Sequence, residues 1–247
     1  MKFSIVTISY NQGKYLRECI ESVLNQQENA DIEYIVVDPG STDESREIIK
    51  SYKQIIKVFE LDKGPADGLN KGFQLATGDY FGFINSDDYF LPGAINKIEK
   101  EIRRSGASFI TGKGYIKLLN KNYRAVMPTK LSLNNLLLRG SVIFQPSTFF
   151  SRDLFKKTGG FNCNNHTCWD YEFYIDLLAK NNIQHHVFDE AIAVFRLHLS
   201  SITGSGRLKE LCKSDVDRLF KKYKKRNYNI IDKILTLLHL ILNKLSR

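Results

Sequence analysis

The sequence predicts an α/β fold with a mixed, mainly parallel central sheet flanked by helices. The first hundred residues alternate short β-rich runs with amphipathic segments, the pattern of parallel strands joined by crossover helices. Polar and acidic residues stand directly after the strand candidates, where an open parallel sheet holds its ligand. Past Ser108 the alternation loosens into shorter, less regular strands, which makes the sheet mixed.

In chain order, Phe3 to Ser9 reads as the first strand. Asn11 is positioned to cap a helix from about Lys14 to Gln26, whose Leu16, Cys19, Ile20, Val23 and Leu24 recur at helical spacing. Tyr34 to Val37 is the second strand, and Ser41 with Glu44 spells a capping box for a helix toward Tyr52. Ile55 to Glu60 is the third strand, and Pro65 suits the first turn of a helix through Ala76. Tyr80 to Ile84 is the fourth, followed by a helix opened by Pro92 and running to about Arg104. Further strands are expected at Ser108 to Gly112, Tyr115 to Leu119, Gln145 to Phe150, His185 to Phe188 and Ile192 to Phe195, with a helix from Trp169 to Lys180.

Bulk properties narrow the function classes. A chain of 247 residues, 43% hydrophobic and 26% charged, can bury a full core, which excludes general disorder. Of the net charge of +9, a balance of +8 falls between Arg207 and Arg247, so a near-neutral body carries a basic tail. That concentration, with no groove-reading or base-stacking motif beside it, argues against a specific nucleic-acid binder. Cys19, Cys163, Cys168 and Cys212 are too few and scattered for a disulfide scaffold and read as reduced thiols in the cytoplasm. Cys163, His166 and Cys168 offer three zinc ligands in six residues, but without a CxxC pair or a fourth ligand the spacing does not argue for zinc. No apolar stretch approaches bilayer length, so a soluble or peripheral protein is expected.

The strand ends carry the chemistry. Asp87 and Asp88 follow the apolar run Tyr-Phe-Gly-Phe-Ile, and adjacent carboxylates there need a cation or strong donors to compensate them. Mg²⁺ or Mn²⁺ would do so while keeping positions open for substrate phosphates; helix-capping acids are the competing reading. Asp38 ends an otherwise apolar strand before a Pro-Gly turn, where a carboxylate can accept the imide hydrogen of uracil, and Tyr10 on the neighbouring strand end offers a stacking face. The glycines at 64, 68 and 72 form neither a dinucleotide fingerprint nor a phosphate-binding loop, against a dehydrogenase or an ATPase.

Taken together, SIVTISYNQGKYLRECIESVLNQQ, IVVDPGSTDES, LDKGPADGLNKGFQLATGDYFGFINSDD, QPSTFF, GGF and WDYEFYIDLLA resemble the family 2 glycosyltransferases of the GT-A fold, in order and spacing, over roughly residues 1 to 200. The resemblance implies an inverting, metal-dependent transferase that moves a sugar from a nucleoside-diphosphate sugar, expected to be a UDP-sugar. The acceptor would be a hydroxyl of a glycan or lipid-linked glycan in surface-polysaccharide synthesis. It implies that Thr7, Tyr10 and Asp38 hold the nucleoside, and that Asp62, Asp67 and Asn70 line the ribose, diphosphate or donor sugar. Asn85-Ser86-Asp87 occupies the DxD position, with Ser86 and Asp87 at the donor and Asp87, Asp88 and His198 toward the divalent cation. Asp170 falls at the catalytic base, with Glu172 as its rival. Asn85 and Trp169 depart from the family's acids, which keeps a catalytically inactive relative in view. A nucleotidyltransferase is the enzymatic alternative, although it gives Asp170 no role.

On this reading residues 1–205 form the transferase domain, with 1–105 as the nucleotide-sugar half and 106–205 as the acceptor and catalytic half. The loops between Leu119 and Gln145 and around Asn162 to Thr167 are expected to meet the acceptor. Residues 206–247 form a basic helical tail, whose apolar run from Asn229 beside Lys221 to Arg226 suits either an anionic membrane face, placing the protein on the cytoplasmic side of the inner membrane, or packing against protein. Association into a homo-oligomer is left open.

Overall fold

The computed structural model describes residues 1–129, 131–138, 143–180, 183–206 and 208–245. Residue 130 and residues 139–142, inside the expected acceptor loop, lie outside the described residues. The chain opens with β1 (Lys2–Ile8), α1 (Gly13–Leu24), β2 (Asp31–Val37), α2 (Ser45–Ser51), β3 (Ile56–Val58), α3 (Pro65–Leu75) and β4 (Tyr80–Phe83). It continues through β5 (Tyr89–Phe90), α4 (Ala94–Ser105), β6 (Phe109–Lys117), β7 (Tyr123–Val126), α5 (Leu133–Leu137), a 3-10 turn (Gln145–Ser147), β8 (Thr148–Ser151) and α6 (Arg152–Thr158). Then follow α7 (Trp169–Lys180), β9 (His185–Arg196), α8 (Ile202–Ser205), α9 (Lys209–Lys224) and α10 (Ile230–Leu245).

Among the described residues the strands form one sheet in the order β3-β2-β1-β4-β8-β6-β9-β5, with β7 paired to β6. β3, β2, β1 and β4 run parallel, whereas β8 is antiparallel to both β4 and β6, so one sheet joins the two halves of the chain.

Side-chain alternation explains why the central strands carry apolar residues on both faces. On β1, Phe3 and Ile5 face the layer that α1, α2 and α4 fill with Leu16, Ile20, Ile49 and Ile98, and Val6 faces the layer holding α3 and α7. On β2, Tyr34 and Val36 share the first layer and Ile35 and Val37 the second. α3 approaches β1 closely, because a Cβ on Gly72 would stand 2.5 Å from Cγ1 of Val6.

Several local expectations are corrected. Asn11 does not cap α1: its backbone is left-handed (φ 53°) and its Oδ1 accepts the N–H of Thr42 at 2.8 Å. The Ser41/Glu44 capping box does not form either, since α2 starts at Ser45 and the Ser41 hydroxyl accepts the N–H of Asn11 at 2.8 Å. Asp43 instead accepts N–H groups from both Gly13 and Ser45, which braces the starts of α1 and α2 against each other. The two strands expected at 108–119 are the single β6, and those at 185–195 are the single β9, offset by register shifts around Lys113. The strand expected from Gln145 begins at Thr148, after Pro146 has turned the chain into one 3-10 turn.

Candidate active site

A cleft of about 650 Å³ opens beyond the carboxyl ends of the parallel strands. Ser9 and Tyr10 follow β1, Pro39 follows β2, Asp62 follows β3, and Asn85, Ser86 and Asp87 follow β4; His166, Trp169, Phe195, Ser200 and Ser201 close it from the second half. Tyr10 keeps 60% of its surface exposed at the mouth, and Ser9 presents a buried hydroxyl without a hydrogen-bond partner among the described residues.

Asp38 is fully buried at the end of β2. Its Oδ1 accepts the N–H groups of Gly40 (3.0 Å) and Ser41 (2.8 Å) and Nε–H of Arg46 (3.0 Å), a braced turn for which Gly40 supplies φ 139°. Its Oδ2 has no donor among the described residues, and a buried carboxylate oxygen left unpaired is costly unless a ligand donates to it.

The adjacent carboxylates at the end of β4 diverge. Asp87 lines the cleft, and its Oδ2 lies 2.8 Å from Nε2 of His198, whose Nδ1 is 2.8 Å from the Ser200 hydroxyl. The Tyr15 ring, at a centroid distance of 4.7 Å, flanks the imidazole. Asp88 turns into the body, where its Oδ1 accepts the N–H of Arg196 at 2.8 Å. Burial first, and the neighbouring Asp87 charge second, push the Asp88 carboxyl well above the usual carboxylate range. Asp88 therefore fastens the β4 end to β9, apart from the Asp87–His198 pair, and does not join them as the third ligand the sequence suggested. Among the described residues no cluster of three or more His, Cys, Asp or Glu side chains is placed to hold a metal, which covers the Cys163, His166 and Cys168 set as well. Asp87 and His198 alone suit a hard cation that takes its remaining ligands from substrate phosphates and water.

Asp62 reaches the cleft while its Oδ1 accepts the N–H of Gly64 at 2.9 Å, and burial raises its carboxyl above the ordinary range. Asp67, in the first turn of α3, accepts the N–H of Lys63 and sits 3.8 Å from Lys71. Of the expected site residues, Tyr10, Asp62, Ser86 and Asp87 line the cleft, whereas Thr7, Asp38, Asp67, Asn70, Asp88, Asp170 and His198 do not. The Thr7 hydroxyl is buried and accepts from Tyr34 at 3.0 Å. Asn70 is spent on the backbone of Phe161, donating to its carbonyl and accepting its N–H, each at 2.8 Å.

Asp170 lies in the first turn of α7 beside Trp169 of the cleft wall, and its Oδ1 accepts the N–H of Tyr171 at 2.8 Å. The residue is only partly buried, yet its carboxyl sits in desolvating surroundings that raise its pKa. Glu172 is differently placed. Burial opposes its ionisation, but Arg218, Asn165 and Asn162 donate to it and together hold its carboxyl below the usual range. With its oxygens occupied and 2% of its surface exposed, Glu172 ties α7 to α9 and is no rival base.

Sequence reasoning missed Gln145, which accepts from Asn85 and donates to the Phe83 carbonyl, and so braces the strand end that presents Asp87. It also missed Arg196, whose guanidinium lies over Tyr15 and Tyr89 and pairs with Glu18 at 2.7 Å. A polar residue in the apolar strand Ile-Ala-Val-Phe-Arg was the only available sign of it.

Comparison with known proteins gives this geometry a context. The model of Glycosyl transferase family 2 matches residues 4–173. An uncharacterized glycosyltransferase of Nostoc sp. is 36% identical over 110 residues, 42% of this chain and 34% of that relative, so the match spans about a third of its length. Among solved structures, TarS 1-349 of S. aureus in complex with UDP-GlcNAc superposes with a TM-score of 0.73 at 19% identity, over 98% of this chain and 72% of that one. The mannosyltransferase PcManGT of Pyrobaculum calidifontis, in complex with GDP-Man and Mn²⁺, gives 0.66 at 14% identity over 96% and 68%.

Proposed function

The chain belongs to glycosyl transferase family 2 and has the GT-A fold, and from that premise we propose that it transfers a sugar, with inversion, from a UDP-sugar to a hydroxyl of a glycan or lipid-linked glycan acceptor. The observation that carries this reading is the pairing of His198 with Asp87, which lines a cleft opened at the carboxyl ends of the parallel strands. Support for the donor class comes from the superposable S. aureus and P. calidifontis enzymes, whose solved complexes hold UDP-GlcNAc and GDP-Man with Mn²⁺.

In this account the uracil stacks on the exposed Tyr10 ring and donates its imide hydrogen to the unpaired Oδ2 of Asp38. The diphosphate lies along Ser86 and Asp87, and Asp87 with His198 would hold Mn²⁺ or Mg²⁺. The cation supplies charge stabilisation for the departing diphosphate. Asp170 takes the proton of the acceptor hydroxyl as its oxygen forms a bond to the anomeric carbon. The bond from that carbon to the β-phosphate oxygen breaks, and the electron pair leaves with UDP. A single base with attack opposite the leaving group inverts the anomeric carbon. Surface-polysaccharide synthesis is the setting this acceptor class suggests.

The test is UDP release from a panel of UDP-sugars, offered with bacterial surface glycans as acceptors, with and without Mn²⁺. Cation-dependent release by the native chain that Asp170→Asn abolishes supports the reading. A diphosphate-releasing reaction with nucleoside triphosphates, indifferent to Asp170→Asn, would favour a nucleotidyltransferase.

A further inference from the structure

The polarity of α10 is inverted relative to a helix packed on a soluble body. Ile230, Ile231, Ile234, Leu237, Leu238 and Ile241 each leave half or more of their surface in solvent, at 50–68% exposure. Two polar side chains instead turn toward the body, while Lys233 stays exposed. Asp232 is 1% exposed and accepts both guanidinium nitrogens of Arg226, and the Thr236 hydroxyl donates to the Leu138 carbonyl at 2.6 Å. These bonds fix the helix with its apolar side outward, where water makes it costly. α10 is fastened to a rigid neighbour, because α9 buries Leu219 and Phe220 and joins α7 through Arg218–Glu172 and Lys222–Asp176.

The charge beside this face selects its occupant. The last turn of α9 carries Lys221, Lys222 and Lys224, Lys225 follows, and Lys221 and Lys225 are exposed. A second copy of the chain would bring the same cations against these, whereas an anionic lipid surface complements them. No helix among the described residues is long and apolar enough to cross a membrane. The 16 residues of α10 span about 24 Å, against about 30 Å of hydrocarbon, so the helix would lie in the interface plane. We infer that α10 and the end of α9 form a docking face for a membrane rich in anionic phospholipid, with the apolar side chains entering the acyl boundary and the lysines meeting the headgroups.

Flotation of the full chain with vesicles of phosphatidylcholine alone, and of phosphatidylcholine mixed with phosphatidylglycerol, tests this. The chain should float with the anionic vesicles and far less with the neutral ones. Ile234→Ser/Leu237→Ser/Leu238→Ser should lower the bound fraction about tenfold or more, and Lys221→Glu/Lys225→Glu should remove the preference for anionic vesicles. Unchanged circular dichroism would show that both variants fold. A native chain that stays at the bottom with anionic vesicles overturns the proposal. So does a dimer, seen by light scattering, that the triple serine variant dissociates while flotation is absent.

Discussion

His198 Nε2 lies 2.8 Å from Asp87 Oδ2 across 111 residues of sequence, joining the end of β4, where Asp87 lines the cleft, to the segment after β9. Under the proposed function, the pair would let a site with Asn85 in place of a first acid hold a cation, the second protein ligand coming from the other half of the chain. His198→Ala should weaken Mn²⁺-dependent UDP binding by about 10- to 100-fold while leaving the melting temperature within a few degrees. Titration of Mn²⁺ in the presence of UDP reads this directly.

Asp170 should set the acid limb of the pH–rate profile. Its carboxyl is raised by burial, so the proton-accepting form is lost at a higher pH than for an exposed aspartate, and activity should begin to fall above the usual carboxylate range. The sign for stability is opposite. A carboxyl raised in the folded state contributes stability that is complete below its unfolded pKa of about 4 and lost as pH rises through the folded value. Asp170→Asn should therefore cut turnover by about 10²- to 10⁴-fold and raise the melting temperature at pH 7, with the second effect vanishing near pH 3. Kinetics and calorimetry of the same variant check both.

The Glu172–Arg218 pair predicts a structural loss. Removing the guanidinium leaves a carboxylate 3% exposed with its asparagine donors and Lys222 at 3.9 Å, so Arg218→Ala should cost about 2 kcal/mol, part of the charge being relieved by Lys222 and by water on the exposed Arg218 side. Because the Glu172 carboxyl is held low, its contribution is present above its unfolded pKa and lost as pH falls through the folded value. Denaturant titrations at pH 7 and near pH 3 should show the variant's deficit shrinking in acid.

Gly82 on β4 makes room for Phe149, since a Cβ there would meet the ring at 2.4 Å. Both backbones belong to the paired strands β4 and β8 and cannot part without breaking the ladder. Gly82→Ala should destabilise by about 1–3 kcal/mol. It should also weaken UDP binding through displacement of the strand end carrying Asp87. Thermal unfolding and UDP titration of this variant measure the two effects.

The parallel half of the fold was legible because its signal is local: apolar strands, amphipathic helices between them, and acids at the carboxyl ends. Asp38, Asp62 and Asp87 could be placed at strand ends from that pattern; Asp62 and Asp87 line the cleft, whereas Asp38 is fully buried at the end of β2 and does not. The misreadings come from partners distant in sequence. Asn70 reads as a ligand-facing amide until Phe161, 91 residues on, claims both its groups, and Glu172, the rival to Asp170 as base, is removed from contention only by Arg218 from α9. Asn11 was read as a cap because the sequence carries no sign of its left-handed backbone or its bond to Thr42. β7 and α5, of four and five residues, are too short for any periodicity to announce them.

The central claim is that this cleft binds a nucleoside diphosphate through a cation held at Asp87. Calorimetric titration of UDP into the native chain and into Asp87→Ala, with and without Mn²⁺, tests it most directly. The account predicts binding that requires both the cation and the Asp87 carboxylate; equal binding by Asp87→Ala, or no binding of UDP under any of these conditions, would contradict it.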